Sequence, residues 1–218
     1  MKLLHVLLIA LFALMSAATA GAAVPLMERI KALEPNIAGY PPNVKNEEEL
    51  AVVKKRYADL KKELDTLLSS RPGDEDLLYM RGFLQSMGHN LDSPGAWEGA
   101  DKDFKALLEI NPAHVPAMLD LGNLWVNSNP ALAPNAEKLF RAAQCLRGEV
   151  PLERAQQGLF FALYYQAKMS EAFNQSQYLV KTWPNSQKYR TLNDTVRGVL
   201  EKNGKLAESK ILMATCEK

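Results

Sequence analysis

Residues that could carry metal or covalent chemistry are few in this sequence and lie far apart. It contains three histidines and two cysteines. His89 and His114 have no cluster of further ligands around them, so we expect no metal site. Cys145 and Cys216 form neither a C-x-x-C pair nor a C-x-x-C-H haem-attachment motif. Either they join as one disulfide, or Cys145 packs within a helix and Cys216 is free near the chain end.

Carboxylates act as general acids and bases in many enzymes, and here they occur in runs such as residues 47–49 and 74–76. Such runs are typical of helix starts and solvated helix faces. The sequence has no nucleophile elbow, P-loop or dinucleotide fingerprint. We therefore predict no catalytic residues, no cofactor and no enzymatic activity.

The composition excludes several classes of protein. The chain has 218 residues, of which 47% are hydrophobic and 8% aromatic, too apolar for a disordered protein. The chain has 26 Lys and Arg and 25 Asp and Glu, so it lacks the basic excess that is typical of nucleic-acid binders. Two cysteines are too few for a disulfide-rich miniprotein. One ordinary domain or a short repeat array fits this length.

Residues 1–20 have the pattern of a secretory signal peptide. A basic start at Lys2 precedes an apolar run over residues 3–15, and small residues at 18–20 provide a cleavage site. The alternative is an uncleaved membrane anchor, although the apolar run is shorter than the ~20 residues of a typical span. We expect export to the bacterial periplasm, or alternatively secretion, with a mature chain that begins at Gly21.

A pattern of small and aromatic residues recurs three times, with its alanines spaced 36 residues apart. Spacings of three and four residues place these side chains on one helix face. A small residue there lets a neighbouring helix come close, and an aromatic fills the gap beside it. The three copies contain Gly82, Ala100, Phe104 and Pro112; Gly122, Trp125, Ala136 and Phe140; and Gly158, Phe161, Ala172, Ser176 and Pro184.

This pattern resembles the tetratricopeptide repeat (TPR), a helix-turn-helix unit of about 34 residues. The middle copy is the most similar, with Gly122, Trp125 and Ala136-x3-Phe140. The resemblance covers residues 75–186. It implies an all-α fold, a right-handed α-solenoid of about three TPR-like repeats with capping helices at both ends. A generic helical bundle with accidental periodicity is the alternative.

The segment before the repeats is predicted to cap them, because end repeats otherwise expose apolar faces. Residues 46–72 form an amphipathic helix with Asn46 as its N-cap. The apolar stripe of this helix packs within the chain or, alternatively, pairs two chains as a short coiled coil over residues 46–69. Residues 21–45 contain several prolines and form a lead-in with at most one short helix.

The segment after the repeats, residues 187–218, is predicted to contain C-terminal capping helices at 191–202 and 205–213. A disulfide between Cys145 and Cys216 would tie this tail to the second repeat. The first repeat also has a long loop that carries Trp97. This tryptophan is a candidate contact residue, or it folds back onto the second helix of its own repeat.

The resemblance to TPRs implies a concave groove, lined by the first helix of each repeat, that binds a peptide or a helix of another protein. Alternatively, a terminal helix covers these residues and makes them core. The first helices offer only Arg81 and Arg154 as basic residues, so we do not expect the clamp for a terminal carboxylate that some TPR proteins have. The predicted lining is Tyr79, Phe83, Met87, Leu119, Asn123, Val126, Asn127, Leu159 and Leu163.

The predicted function is that of an exported protein-interaction module, an adaptor, scaffold or chaperone-like protein in the cell envelope. Residues 1–20 hold one lysine and no acid, so the mature chain is neutral. Neutrality favours recognition of a protein or peptide by shape and apolar contact over capture of nucleic acid. Membrane contact is expected only through an uncleaved signal segment. The alternative is a structural oligomer, with residues 46–69 as a coiled coil and the repeats as a spacer.

Overall fold

In the computed structural model, which describes residues 26–204 and 211–215, every regular element is a helix. The predicted all-α class is therefore confirmed for the part of the chain described. The elements are α1 (26–31), α2 (Glu34–Ile37), α3 (Glu47–Ser70), α4 (Glu75–His89), α5 (Ala96–Ile110), α6 (Val115–Ser128), a short 3-10 helix (Pro130–Leu132), α7 (Ala133–Arg147), α8 (Glu153–Tyr165), α9 (Met169–Thr182) and α10 (Gln187–Lys202).

The chain divides into two compact units, with the boundary between Ile110 and Asn111. In the first unit α4 packs against α2, α3 and α5. In the second unit α7 packs against α6 and α8, and α9 packs against α8 and α10. Among the described helices, none combines the length and the apolar character needed to cross a membrane. The predicted signal peptide, residues 1–20, lies outside the described residues.

The lead-in to the first unit contains two helical segments, α1 and α2, so the prediction of at most one short helix was wrong. Leu26, Ile30, Leu33 and Ile37 are all buried. Their steps of four, three and four residues are those of a helical stripe. The prolines obscured this stripe, yet a proline in the first turn of α2 is compatible with a helix, because the first amide N–H groups need no intrahelical partner.

Helix α3 presents its apolar stripe to the inside of the first unit. Asn46 caps the helix as predicted, since its side chain accepts a hydrogen bond from the backbone N–H of Glu49 at 2.8 Å. Most of this stripe lies in the core of the unit, while Leu50 and Leu67 at its two ends are partly exposed. The buried residues of α3 are Val53, Tyr57, Leu60, Leu64 and Leu68.

Glycines and phenylalanines meet where the helices come closest. A Cβ placed on Gly82 would lie 2.9 Å from the ring of Phe104 in the first unit. In the second unit, Phe140 lies between two glycines, and Cβ atoms on Gly122 and Gly158 would come within 2.7 Å and 2.3 Å of its ring. Both rings are almost fully buried. The structure thus shows the close approach that the repeated pattern predicts.

The third copy of the pattern uses a polar contact instead. Ser176 stands at the position where a phenylalanine is expected, and it is fully buried. Its hydroxyl donates to the carbonyl oxygen of Phe173 at 2.7 Å and accepts from Nδ2 of Asn193, on α10, at 3.0 Å. Since both polar groups find partners, the smaller side chain leaves no unpaired hydroxyl in the core.

The C-terminal end differs from the prediction. Helix α10 begins at Gln187, four residues earlier than expected, after Ser186 caps its N-terminus. A second closing helix was predicted at 205–213, but residues 211–213 are not helical, so this part of the prediction was wrong. Residues 205–210 lie outside the described residues.

Candidate peptide-binding surface

In the first unit, two of the three predicted groove residues are partly exposed on α4. Tyr79 and Phe83 lie one helical turn apart, and their rings stack with centroids 6.1 Å apart and planes at 13°. Tyr79 also contacts the buried ring of Phe104 at a centroid distance of 6.2 Å. Met87 is buried, with 4% of its surface exposed. The first unit therefore presents a partly exposed, stacked aromatic pair whose Tyr79 ring contacts the buried ring of Phe104.

In the second unit, the apolar part of the predicted lining is core. Leu119 and Val126 on α6, and Leu159 and Leu163 on α8, are all buried. Helices α6 and α8 pack against each other and against α7, which accounts for their loss of contact with solvent. This matches the alternative in which these positions are core, although the cover comes from neighbouring helices of the unit. Asn127 is exposed and Asn123 partly exposed, so the accessible positions of the second unit are polar.

Arg81 is engaged in an ion-pair network. It binds Asp103 through two hydrogen bonds of 2.7 Å and Asp65 through one of 3.0 Å. Asp103 is only 2% exposed, and its hydrogen bonds raise the pKa of the Arg81 guanidinium. Burial would raise the pKa of Asp65, but hydrogen bonds from Lys61 and Arg81 outweigh it and hold that pKa below its ordinary value.

Arg154, the second arginine that could have held a terminal carboxylate, is also paired. Its guanidinium donates to Asp120, which is buried on α6. Arg81 and Arg154 thus each have a carboxylate partner inside their own unit. A peptide carboxylate would have to displace those partners, so the structure offers no ready clamp at these two positions.

Sequence reasoning missed the buried amide and acid of the first unit. Gln85 stands at the position where the other two copies have an aromatic residue. This difference was the one sign in the sequence that a polar side chain lies inside the first unit. Nε2 of Gln85 donates to Asp103 at 2.8 Å. Its Oε1 lies where a Cβ of Gly99 would approach to 2.0 Å, so a side chain at position 99 would displace the Gln85 amide. Gln85 therefore completes the network around Asp103 and leaves no aromatic surface there.

The second unit holds a row of three buried glutamines that the sequence patterns did not reveal. Gln156 donates to Oε1 of Gln144 at 3.0 Å, and Gln175 donates to Oε1 of Gln156 at 2.8 Å. Gln144 also accepts from the backbone N–H of Leu152 at 2.8 Å and donates to two carbonyls of the α7–α8 loop. Glutamines at helical spacing look like solvated positions, so only their place within the apolar stripes could have marked them.

Comparisons of the chain with protein-family models, with curated proteins and with solved structures find no match. The assignment of a function therefore depends on the residues and contacts described above.

The remaining predicted sites have mixed outcomes. Trp97 is partly buried, and its indole Nε1 is buried without a hydrogen-bond partner among the described residues. Cys145 is disulfide-bonded, while Cys216, its predicted partner, lies outside the described residues. In the described part of the chain, no three His, Cys, Asp or Glu side chains are grouped so that they could hold a metal ion.

Proposed function

We propose that this chain is an exported protein-interaction module, an adaptor, scaffold or chaperone-like protein of the cell envelope. Its helix pairs resemble TPRs, and we propose that they stack as a right-handed α-solenoid. The glycine–phenylalanine contacts at Gly82, Gly122 and Gly158 support this resemblance. They are steric features of helix pairing, which a shared repeat explains more simply than three separate coincidences.

The observation that carries the proposal is the stacked pair of Tyr79 and Phe83 on α4. Partly exposed aromatic side chains lose little conformational entropy on binding and contribute large contact areas, so they are common anchors in interfaces. In the second unit, Asn123 and Asn127 are accessible amides that can bind a peptide main chain. A peptide or helix of another protein is the ligand that suits such positions.

The disulfide at Cys145 supports export. Disulfides persist in oxidising compartments and are rare in the cytosol. Together with the predicted signal peptide at residues 1–20, this favours the bacterial periplasm, with secretion as the alternative.

The packing of α3 favours the adaptor over the structural oligomer. A coiled coil over residues 46–69 would need the stripe around Leu60 and Leu64, and these side chains are buried within their own unit. Such a seam would bury these leucines against the partner chain instead, so α3 would first have to leave the core of its own unit. Light scattering on the mature protein provides the test, and a concentration-independent dimer would restore the oligomer proposal.

Crosslinking tests the aromatic pair directly. A photoreactive benzoylphenylalanine at position 83 should capture a partner from the native envelope, whereas the same group at Tyr165, an exposed aromatic of the second unit, should not. Phe83→Asp should abolish co-purification of that partner while Tyr165→Asp retains it, with both variants folded by circular dichroism. Retention of every partner by a folded Phe83→Asp protein would overturn the proposal.

A further inference from the structure

A short non-helical segment near the C-terminus, residues 211–215, lies against α7 and α8 of the second unit. Nε2 of Gln156 donates a hydrogen bond to the carbonyl oxygen of Ala214 at 2.8 Å. Nη1 of Arg141 donates to the carbonyl oxygen of Thr215 at 3.3 Å. The side chain of Leu212 remains 57% exposed. Met213 and Ala214 are partly buried, and both of these hydrogen bonds are accepted by main-chain carbonyls of the segment, as in a bound peptide.

Gln156 is held in the orientation that this contact needs by two other glutamines. Its side chain is 1% exposed, and its amide is fixed by Gln144, which accepts one N–H, and by Gln175, which donates to its oxygen. The second N–H then has one direction left, toward Ala214. A buried amide donor held in place by two neighbours loses little freedom when it binds an acceptor, which strengthens binding. If the segment departs, that N–H requires another acceptor.

The covalent link lies on the same helix face. Cys145, which is disulfide-bonded, follows Arg141 by four residues on α7, so the two side chains are neighbours on the helix surface. The other cysteine of the chain, Cys216, directly follows Thr215 in the sequence. A tether beside a binding site keeps its ligand at an effective concentration in the millimolar range. A disulfide between Cys145 and Cys216, the pairing predicted from the sequence, would act on the same short stretch of chain as the two hydrogen bonds.

We propose that Arg141 and Gln156 form a second binding site, which takes the main chain of a short peptide, and that residues 211–215 fill it while Cys145 is oxidised. Reduction by a dithiol, which is itself oxidised to a disulfide, supplies two electrons and two protons and leaves two thiols. The segment is then free to leave, and a peptide of similar small and apolar composition from another protein takes its place. This site is separate from the aromatic pair on α4 and does not depend on it.

The test uses the full chain with two changes, Cys145→Ser and replacement of residues 211–215 by Gly-Ser-Gly-Ser-Gly. These changes remove the disulfide and the bound segment, and we call this protein the vacated chain. The probe is a fluorescent synthetic peptide with the sequence of residues 209–218 and Cys216→Ser, followed by anisotropy. The vacated chain should bind it with a Kd below about 1 mM, because a weaker site would not retain a tethered segment. The oxidised native chain should bind at least about tenfold more weakly, since its own segment competes.

Variants of the vacated chain identify the site. Gln156→Leu should weaken binding by about fivefold, the value of one hydrogen bond. Arg147→Ala is the control, because Arg147 is an exposed residue at the end of α7, the helix that carries Arg141, and this variant should leave binding unchanged. A second peptide carries an ester in place of the Ala214–Thr215 amide, and an ester carbonyl is a poorer hydrogen-bond acceptor than an amide carbonyl. Its affinity for the unaltered vacated chain should be about fivefold lower as well.

Three results would overturn the proposal. One is absence of binding to a vacated chain that is folded by circular dichroism. Another is equal binding to the oxidised native chain, and the third is full affinity for the ester peptide. The ester peptide keeps the test decisive even if Gln156→Leu fails to fold.

Discussion

Substituting Gly158 by alanine should destabilise the second unit, although the same change in most helices is stabilising. The new Cβ would lie 2.3 Å from Cε1 and 2.4 Å from Cζ of Phe140, whereas carbon atoms in contact prefer about 3.5–4.0 Å. The ring must move by about 1 Å. The ring has little room to move, because Gly122 packs closely against it as well. A Cβ on Gly122 would lie 2.7 Å from the ring.

The change in the free energy of unfolding of Gly158→Ala is the sum of two opposing effects. Overpacking a core typically costs about 1–3 kcal/mol, and the pinned ring places this site near the upper end. Replacing glycine by alanine inside a helix contributes about 1 kcal/mol in the opposite direction. We expect the free energy of unfolding to fall by about 2 kcal/mol. The measurement is urea denaturation followed by far-UV circular dichroism, with the m-value unchanged.

Gly198→Ala on α10 is the matched control. Nothing lies within 4 Å of the position that its Cβ would take, so this variant should gain about 0.5–1 kcal/mol. Combining Gly158→Ala with Phe140→Leu should restore part of the loss, with a coupling energy of at least about 0.5 kcal/mol. If Gly158→Ala proves as stabilising as Gly198→Ala, the helices do not approach as closely as described and the reasoning is refuted.

Three further predictions concern charge and processing. Asp103→Ala should lower the free energy of unfolding by about 3–5 kcal/mol, because it leaves the guanidinium of Arg81 without its buried partner. Asp59→Ala, which removes an exposed ion pair, should lower it by less than about 1 kcal/mol. Equal losses for the two variants in chemical denaturation would contradict this prediction. Burial would raise the pKa of Glu137, but hydrogen bonds from three neighbouring side chains hold it below its ordinary value of 4.5. The ionised Glu137 should therefore stabilise the fold fully above pH 4.5, and this stabilisation should be lost as the pH falls through the lower pKa of the folded state. In thermal melts, Glu137→Gln should be less stable than the unaltered protein at pH 7 but equally stable at pH 2. Mass spectrometry of exported protein should show a chain beginning at Gly21, and retention of residues 1–20 would favour the anchor instead.

The close helix contacts were predictable from the sequence because they depend on size alone. The Ala136-x3-Phe140 spacing predicted that a small residue and an aromatic share a close helix contact, but not that Gly122 and Gly158 are the residues against the Phe140 ring. The order of the helices followed from the same periodicity. Polar contacts were not predictable in this way, because Gln156 or Asp103 at helical spacing resembles a solvated position until the partner across the helix interface is known.

The accessible surface was harder to predict than the core. Spacing identified the helix face that holds Leu119 and Leu159, but it could not show that α6 and α8 bury this face against each other. The distinction depends on how two helices far apart in the sequence meet, and periodicity within one helix contains no information about that. Tyr79 and Phe83, which the same periodicity places on α4, stay partly exposed.

The contact between Ser176 and Asn193 determines where helix pairing can stop. Phe104 and Phe140 each fill the space beside a glycine of a neighbouring helix. At Ser176 the partner is an amide of α10 instead, and Arg197 donates to the same asparagine at 2.8 Å. A duplicated pair inserted after α9 would place a glycine opposite Ser176, creating a void the size of a phenyl ring and leaving the hydroxyl without its donor. Inserting helices at this point would therefore require a new partner for Ser176 in place of Asn193.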